Sequence, residues 1–284
     1  RQVTHLSRRP LHDGWTVRAV AGPAPADLTG VDIAAAVPGS IHVDLLAADL
    51  IPDPFHGNNE ALLAWIGLVD WTYRTTFAWT PDGNERHDLV FDGLDTVATV
   101  RLNGTVVGEV ANQHRSYRYD VAALLRDGDN DLEIAFRAPV PYANQASLEL
   151  GARPRPYPLP YEAIRKSACS FGWDWGIATY TSGIWKPVRL ESWSTARLSR
   201  TRVVATPMGD GGRVTVDVDV ERTDAAGSNL EVHAIVRGPG LDGEATASTA
   251  VVGETGRVEV DLPAVRRWWP VGHGEQPLYM VEVT

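Results

Sequence analysis

The chain has 284 residues, 44% of them hydrophobic and 22% charged, a balance that supports one large or two ordinary folded domains and argues against disorder. Its 36 acidic residues outnumber its 26 Lys and Arg, and the resulting net charge of -10 repels phosphate backbones, so nucleic acid is not expected as a partner. The single cysteine, Cys169, excludes an internal disulfide and points to a reducing compartment, the cytoplasm, while no stretch reaches the roughly 18 consecutive apolar residues of a membrane helix.

Arg1–Pro10 lacks the apolar run of a signal peptide. Ser40–Leu50 sets Ile41, Leu45 and Ala48 on one stripe, with Ser40 as a candidate cap and Pro52 as a stop, which predicts a short helix. Asn59–Trp65 predicts a further helical turn. In Trp71–Trp79 the residues Trp71, Tyr73, Phe77 and Trp79 share one parity, the period-2 signature of a half-buried strand. Asp88–Phe91 alternates likewise, and Thr96–Leu102 carries Ala98, Val100 and Leu102 on one face. Asn103-Gly104 then marks a two-residue hairpin into Val106-Val107. Asp131–Arg137 and Ile184–Trp193 complete the strands of the first unit.

Many short strands separated by Gly, Asn and Pro predict a β-sandwich or barrel rather than βαβ units. A second unit is expected from Ser194 onward, giving domains 1–193 and 194–284. Its strands are expected at Val214–Val220, Leu230–Val236, Val258–Leu262 and Tyr279–Val283, with turns at Gly209–Gly212 and Asp224–Asn229. About ninety residues of closely spaced strands fit an immunoglobulin-like sandwich. Nothing in that unit has a catalytic pattern, and it reads as a spacer.

Periodicity fails between Val140 and Trp185. Five prolines fall between Pro141 and Pro160, so packing and ring constraint must hold this segment in place of a regular ladder. Inside it lies Phe171-Gly172-Trp173-Asp174-Trp175-Gly176. Two indoles flanking a carboxylate suit a sugar, whose C–H face can lie on an aromatic ring while its hydroxyls donate to Asp174. The alternative reading keeps Trp173 and Trp175 as core aromatics and Asp174 as a turn cap. His42 has no partner at metal-ligand spacing, His56 and Asn58-Asn59-Glu60 either line a site or, as polar loop clusters usually do, serve as turns and caps, and His273 lies between two glycines. Cys169 has two readings, a reactive thiol or, as is more usual beside Ala and Ser in an aromatic segment, a small buried hydrophobe. No metal constellation, phosphate loop or seryl triad stands out, and no cofactor is expected.

Val37-Pro38-Gly39-Ser40-Ile41-His42, followed by Asp44-Leu45-Leu46, Ile51-Pro52-Asp53-Pro54-Phe55, Asn59-Glu60, Trp65 and Asp70-Trp71, resembles the N-terminal jelly roll of glycoside hydrolase family 2 β-mannosidases. The most specific likeness is Arg165-Lys166-Ser167-Ala168-Cys169-Ser170-Phe171-Gly172-Trp173-Asp174-Trp175-Gly176, completed by Gly183-Ile184-Trp185-Lys186-Pro187-Val188. Trp268-Trp269-Pro270, Gly272-His273-Gly274 and Gln276-Pro277-Leu278-Tyr279 resemble the same family's second, immunoglobulin-like domain. Related β-galactosidases and β-glucuronidases share the domain order but generally lack the Trp-Asp-Trp loop. One departure is Ile177, where many relatives carry proline, which implies a less rigid loop.

The resemblance implies an all-β chain, a galactose-binding-like jelly-roll β-sandwich followed by an immunoglobulin-like β-sandwich. It implies a retaining hydrolase of terminal nonreducing β-D-mannose residues, acting on a β-mannoside or manno-oligosaccharide. The two catalytic glutamates would lie on a downstream TIM-barrel domain, of which this sequence carries no pattern, so none of its acids is expected to be the nucleophile or acid/base. Asp174 would then contact the terminal mannose, with Trp173 and Trp175 shaping the pocket wall. An independent carbohydrate-binding module, or a structural β-sandwich protein without hydrolase activity, is the rival expectation.

Overall fold

The computed structural model describes residues 6–151, 153–224, 227 and 229–284. The chain divides into two compact units, Ser7–Ser192, and Trp193–Thr284 with Leu6. Both are built from antiparallel sheets, and the chain is all-β with short helical insertions.

The first unit is a jelly-roll sandwich of six and four strands. The larger sheet runs Ile33–Ala34, Thr16–Ala21, Asp70–Trp79, Gly128–Phe136, Val97–Leu102, Thr105–Ala111. The smaller runs Ser7–Pro10, Val188–Trp193, Arg86–Phe91, Tyr117–Asp120, so that Ser7 pairs with Ser192 and ties the two ends of the unit together. Asp70–Trp79 forms a central strand by alternation: Trp71, Tyr73, Thr75 and Phe77 are buried, while Arg74, Thr76 and Ala78 face outward and only Thr72 of that parity is buried. Tyr73 meets Phe136 edge to face at 5.7 Å inside the sandwich.

Asn103 and Gly104 take φ of 51° and 82° between Leu102 and Thr105, as a primed hairpin turn requires. The Asn103 amide also bonds the carbonyl of Leu124 at 2.8 Å and the side chain of Asn130 at 2.9 Å.

The expected helix at Ser40–Leu50 is Ile41–Ala47; Ser40 occupies the cap position in extended conformation, but its side chain makes no cap bond. Asn59–Leu62 is a short helix, followed by a 3-10 turn at Ala64–Leu68. One reading needs correction. The start of the segment expected to be irregular is a helix, Pro139–Leu150. Pro139 and Pro141 sit in its first turn, where their missing N–H groups cost nothing. Only Pro139, Val140 and Ala143 are buried, and Leu148 is 85% exposed, so the helix lacks the apolar stripe that would have announced it.

The second unit packs two three-stranded sheets in an immunoglobulin-like sandwich. One runs Ala196–Met208, Gly211–Arg222, Thr255–Leu262; the other runs Glu244–Ala250, Glu231–Arg237, Met280–Val283. Val214, Val216, Val218 and Val220 meet Val232, Ala234, Val236, Val258 and Val260 in its core. Ala196–Met208 is rich in Arg and largely exposed, and Glu244–Ala250 has only small residues facing in, so neither strand carried a hydrophobic signal. The turn expected at Asp224–Asn229 falls partly outside the described residues, as does the start of Arg1–Pro10.

Candidate functional site

The Phe171–Ala178 segment is a β-hairpin. Phe171–Trp173 pairs antiparallel with Gly176–Ala178, Phe171 opposite Ala178 and Trp173 opposite Gly176, which leaves Asp174 and Trp175 as the two-residue tip. Gly172 has φ of 92°, a region closed to most side chains, and a Cβ there would also lie 3.3 Å from that of Ala178. Glycine is therefore required for the strand to turn as it does.

The two tip side chains and that of Trp173 beside them have different surroundings. Trp173 is half-buried, tilted against Tyr157 at 5.1 Å and edge-on to Tyr161 at 6.0 Å. Tyr157 comes from the proline-rich stretch, which thus supplies the backing for Trp173. Trp175 is 74% exposed and touches Trp173 at 6.5 Å between ring centres. Asp174 is exposed and makes no hydrogen bond or ion pair among the described residues. The tip accordingly presents a carboxylate with its acceptor lone pairs open, beside an indole face open to a ligand. Trp175 is thus not a core aromatic and Asp174 makes no cap bond, whereas Trp173 is packed as the alternative reading expects.

Below the tip the hairpin is fastened at several points. The Ala178 N–H donates to Glu60 Oε1 at 2.8 Å, so Glu60, read from sequence as a turn residue, reaches from the Asn59–Leu62 helix to the hairpin. The Ser170 carbonyl accepts from Thr179 N at 3.2 Å and Tyr180 N at 2.9 Å. Tyr180 packs its ring on Phe171 and its Cβ against Gly67. Burial, then the nearby Glu60 carboxylate, raises the Tyr180 pKa. Gln113, itself buried, donates its backbone N–H to Arg165 O at 2.9 Å and accepts from Ser167 N at 2.7 Å.

The deepest fastening is Lys166. Its fully buried ammonium lies 2.6 Å from Asp95 Oδ1, 2.8 Å from the Thr181 carbonyl and 2.7 Å from Thr181 Oγ1, and Thr181 Oγ1 donates to Asp95 Oδ2 at 2.7 Å. Burial lowers the Lys166 pKa, while the Asp95 carboxylate resists that shift. His42 is buried near this cluster, its Nδ1 without a hydrogen-bond partner among the described residues, and burial followed by the Lys166 charge lowers its pKa to about 4.

Cys169 is exposed in the middle of the short 3-10 turn Ala168–Ser170, contrary to the expectation of a buried side chain. His56 and His273 are exposed turn residues, their backbone N–H groups bonded to Asp53 O and Pro270 O. Among the described residues no group of three or more His, Cys, Asp and Glu side chains could hold a metal. Sequence reasoning missed Tyr157, Tyr161, Asp95 and Gln113. The aromatic pair was visible in the proline-rich stretch, but Asp95 lies 71 residues before Lys166 and carried no local signal.

Comparison with known proteins bears on the same region. Residues 15–186 match the family model described as glycosyl hydrolase 2 galactose-binding domain-like. The β-mannosidase of Capra hircus is 36% identical over 279 residues, covering 89% of this chain and 31% of its own length. The crystal structure of β-D-mannosidase from Dictyoglomus thermophilum superposes with a TM-score of 0.84 at 29% identity, over 98% of this chain and 34% of that one. An exo-chitosanase from Amycolatopsis orientalis superposes at 0.68 with 18% identity over 97% of this chain and 33% of that one, a likeness of fold alone. The chain thus spans about a third of the length of the curated relatives it matches.

Proposed function

Because this chain belongs to the glycosyl hydrolase 2 galactose-binding domain-like family, we propose that it is the non-catalytic N-terminal part of a retaining β-mannosidase whose Phe171–Ala178 hairpin completes the pocket for a terminal nonreducing β-D-mannose residue. Residues 1–193 and 194–284 are its first two domains, a downstream TIM barrel is their partner in the same polypeptide, and the one-cysteine composition suits the cytoplasm. The observation that carries the reading is the Asp174 carboxylate, without a partner among the described residues, held beside exposed Trp175 on a fastened hairpin.

In a retaining mechanism two carboxyl groups about 5 Å apart flank the glycosidic bond, one protonating the leaving oxygen and the other attacking the anomeric carbon. Both belong to the barrel. The hairpin's part is to bind and orient. The Asp174 carboxylate accepts a hydrogen bond from a ring hydroxyl, Trp175 covers an apolar face of the sugar, and Trp173 fixes the angle of both through Tyr157 and Tyr161. A contact that strengthens as the ring flattens toward the oxocarbenium-like transition state raises kcat; one that is equal in ground and transition states changes KM alone.

The test is Asp174→Ala in the full-length enzyme, with kinetics on a β-mannoside and its deoxy analogues. The expected loss in kcat/KM corresponds to about 2–4 kcal/mol, and it shrinks for the analogue lacking the contacted hydroxyl. A folded variant with near-parental kcat/KM would overturn the reading. The 284-residue chain alone is expected to show no turnover of aryl β-mannosides above a buffer control, since one wall of a pocket cannot stabilise the transition state.

A further inference from the structure

We propose that Lys166 is a positioning residue, whose buried ammonium joins the two ends of the hairpin loop to Asp95 and thereby sets the place of the Asp174 carboxylate. The inference rests on the reading that Asp174 contacts substrate, and it names what holds that contact in register.

Lys166 lies five residues before the hairpin begins at Phe171, and Thr181 lies three after it ends at Ala178. One nitrogen therefore ties both flanks together, bonding the Thr181 carbonyl and hydroxyl on one side and the Asp95 carboxylate on the other. Asp95 is itself immobilised: its N–H donates to Gly183 O at 2.9 Å, and its carbonyl accepts from Gly183 N at 3.0 Å. It sits in the short link between strands Arg86–Phe91 and Val97–Leu102, one from each sheet of the sandwich. The loop base is in this way pinned to a link that joins the two sheets of the sandwich.

Stability is a poor explanation for such a pair. Removing two charges from water costs about as much as, or more than, their attraction returns, and an apolar pair of similar volume is often as stable or more so. A methionine would fill the volume but could not hold three acceptors in fixed directions. Direction is what a ligand-contacting carboxylate eight residues along the chain requires, because a displacement of about 1 Å at a reacting sugar costs on the order of a hundredfold in rate. The Glu60 bond to Ala178 N fastens one strand of the hairpin, and the Ser170 carbonyl joins the flanks nearer the tip, whereas Lys166 ties both flanks to Asp95.

The experiment is a double-mutant cycle in the full-length enzyme, using Lys166→Met and Asp174→Ala, together with hydrogen exchange of the 284-residue chain. Lys166→Met is expected to speed exchange of the amides of residues 171–180 by about tenfold while strands Asp70–Trp79 and Gly128–Phe136 keep their protection. It is expected to lower kcat/KM by about tenfold in the parent and by less than about twofold on the Asp174→Ala background, because its effect passes through Asp174. Equal losses on both backgrounds, or a hairpin whose exchange is unchanged in the folded variant, would overturn the inference. If Lys166→Met does not fold, Thr181→Val removes one acceptor and keeps the ion pair, and the same non-additivity is expected at about threefold. Failure of the underlying reading has a separate signature, an Asp174→Ala enzyme with parental kinetics.

Discussion

Two loops of this protein display tryptophan to solvent, and they are built differently. Trp175 stands at the tip of a hairpin whose base is fixed by buried groups, Lys166, Asp95 and Gln113. Trp268, 56% exposed in the second unit, belongs to a segment held by exposed bonds. There Trp269 N donates to Glu275 O, Gln276 Nε2 donates to Trp269 O, and Arg266 pairs with Glu275. Exposed pairs of this kind contribute little, because water competes for both partners. The carboxylates differ too: Glu275 is occupied by Arg266, whereas Asp174 is open. An exposed indole by itself is therefore a weak sign of a site. A free polar group beside it, with a buried layer that fixes both, is a stronger one.

That contrast can be broken or sharpened by acid. His42 lies in the buried layer, and burial with the Lys166 charge lowers its pKa from 6.5 to about 4. The folded state thus holds the neutral ring, so this stabilisation is complete above pH 6.5 and is lost as pH falls from 6.5 toward 4. A loss on the order of 2–3 kcal/mol follows from a shift of that size. Asp44 acts in the opposite sense, since burial raises its carboxyl against the bonds from Ala36 and Tyr73, so only the difference between parent and variant isolates His42. Thermal melts between pH 7 and 4.5 are expected to show a steeper decline for the parent than for His42→Gln. Parallel curves would remove His42 from the acid response.

Gly67→Ala has the next largest expected effect. The added Cβ would overlap Tyr180 Cβ and lie 2.9 Å from its Cγ, so the residue that closes the hairpin must move. A destabilisation of about 1–3 kcal/mol is expected, with near-ultraviolet circular dichroism of the Trp173 cluster altered in the folded protein. Glu60→Ala leaves the Ala178 amide without its partner and is expected to cost about 1 kcal/mol, seen as faster exchange at the hairpin alone. Gln276→Ala, the equivalent deletion in the second loop, is expected to cost about 0.5 kcal/mol or less by denaturant unfolding. A larger cost for Gln276 than for Glu60 would reverse the comparison.

The same contrast explains what could be read from the sequence. Asp70–Trp79 and the Asn103-Gly104 turn were legible because a half-buried strand and a primed turn each impose a local pattern. Helix Pro139–Leu150 was not, since it buries too few side chains to show a stripe. The hairpin has strands of only three residues, too short for a period to register. Its motif was visible only as composition, two indoles around an acid, and through family likeness. The layer beneath it was hidden, because Asp95 and Lys166 meet across 71 residues and their pairing depends on the finished sandwich.

The most direct test of the central claim is a structure of the full-length enzyme, inactivated in its barrel, with a β-mannoside bound. The Asp174 carboxylate is expected within hydrogen-bond distance of a hydroxyl of the terminal sugar, about 2.6–3.2 Å, with the Lys166–Asp95–Thr181 contacts unchanged beneath it. A terminal mannose bound wholly by barrel residues, with Asp174 still facing solvent, would contradict it.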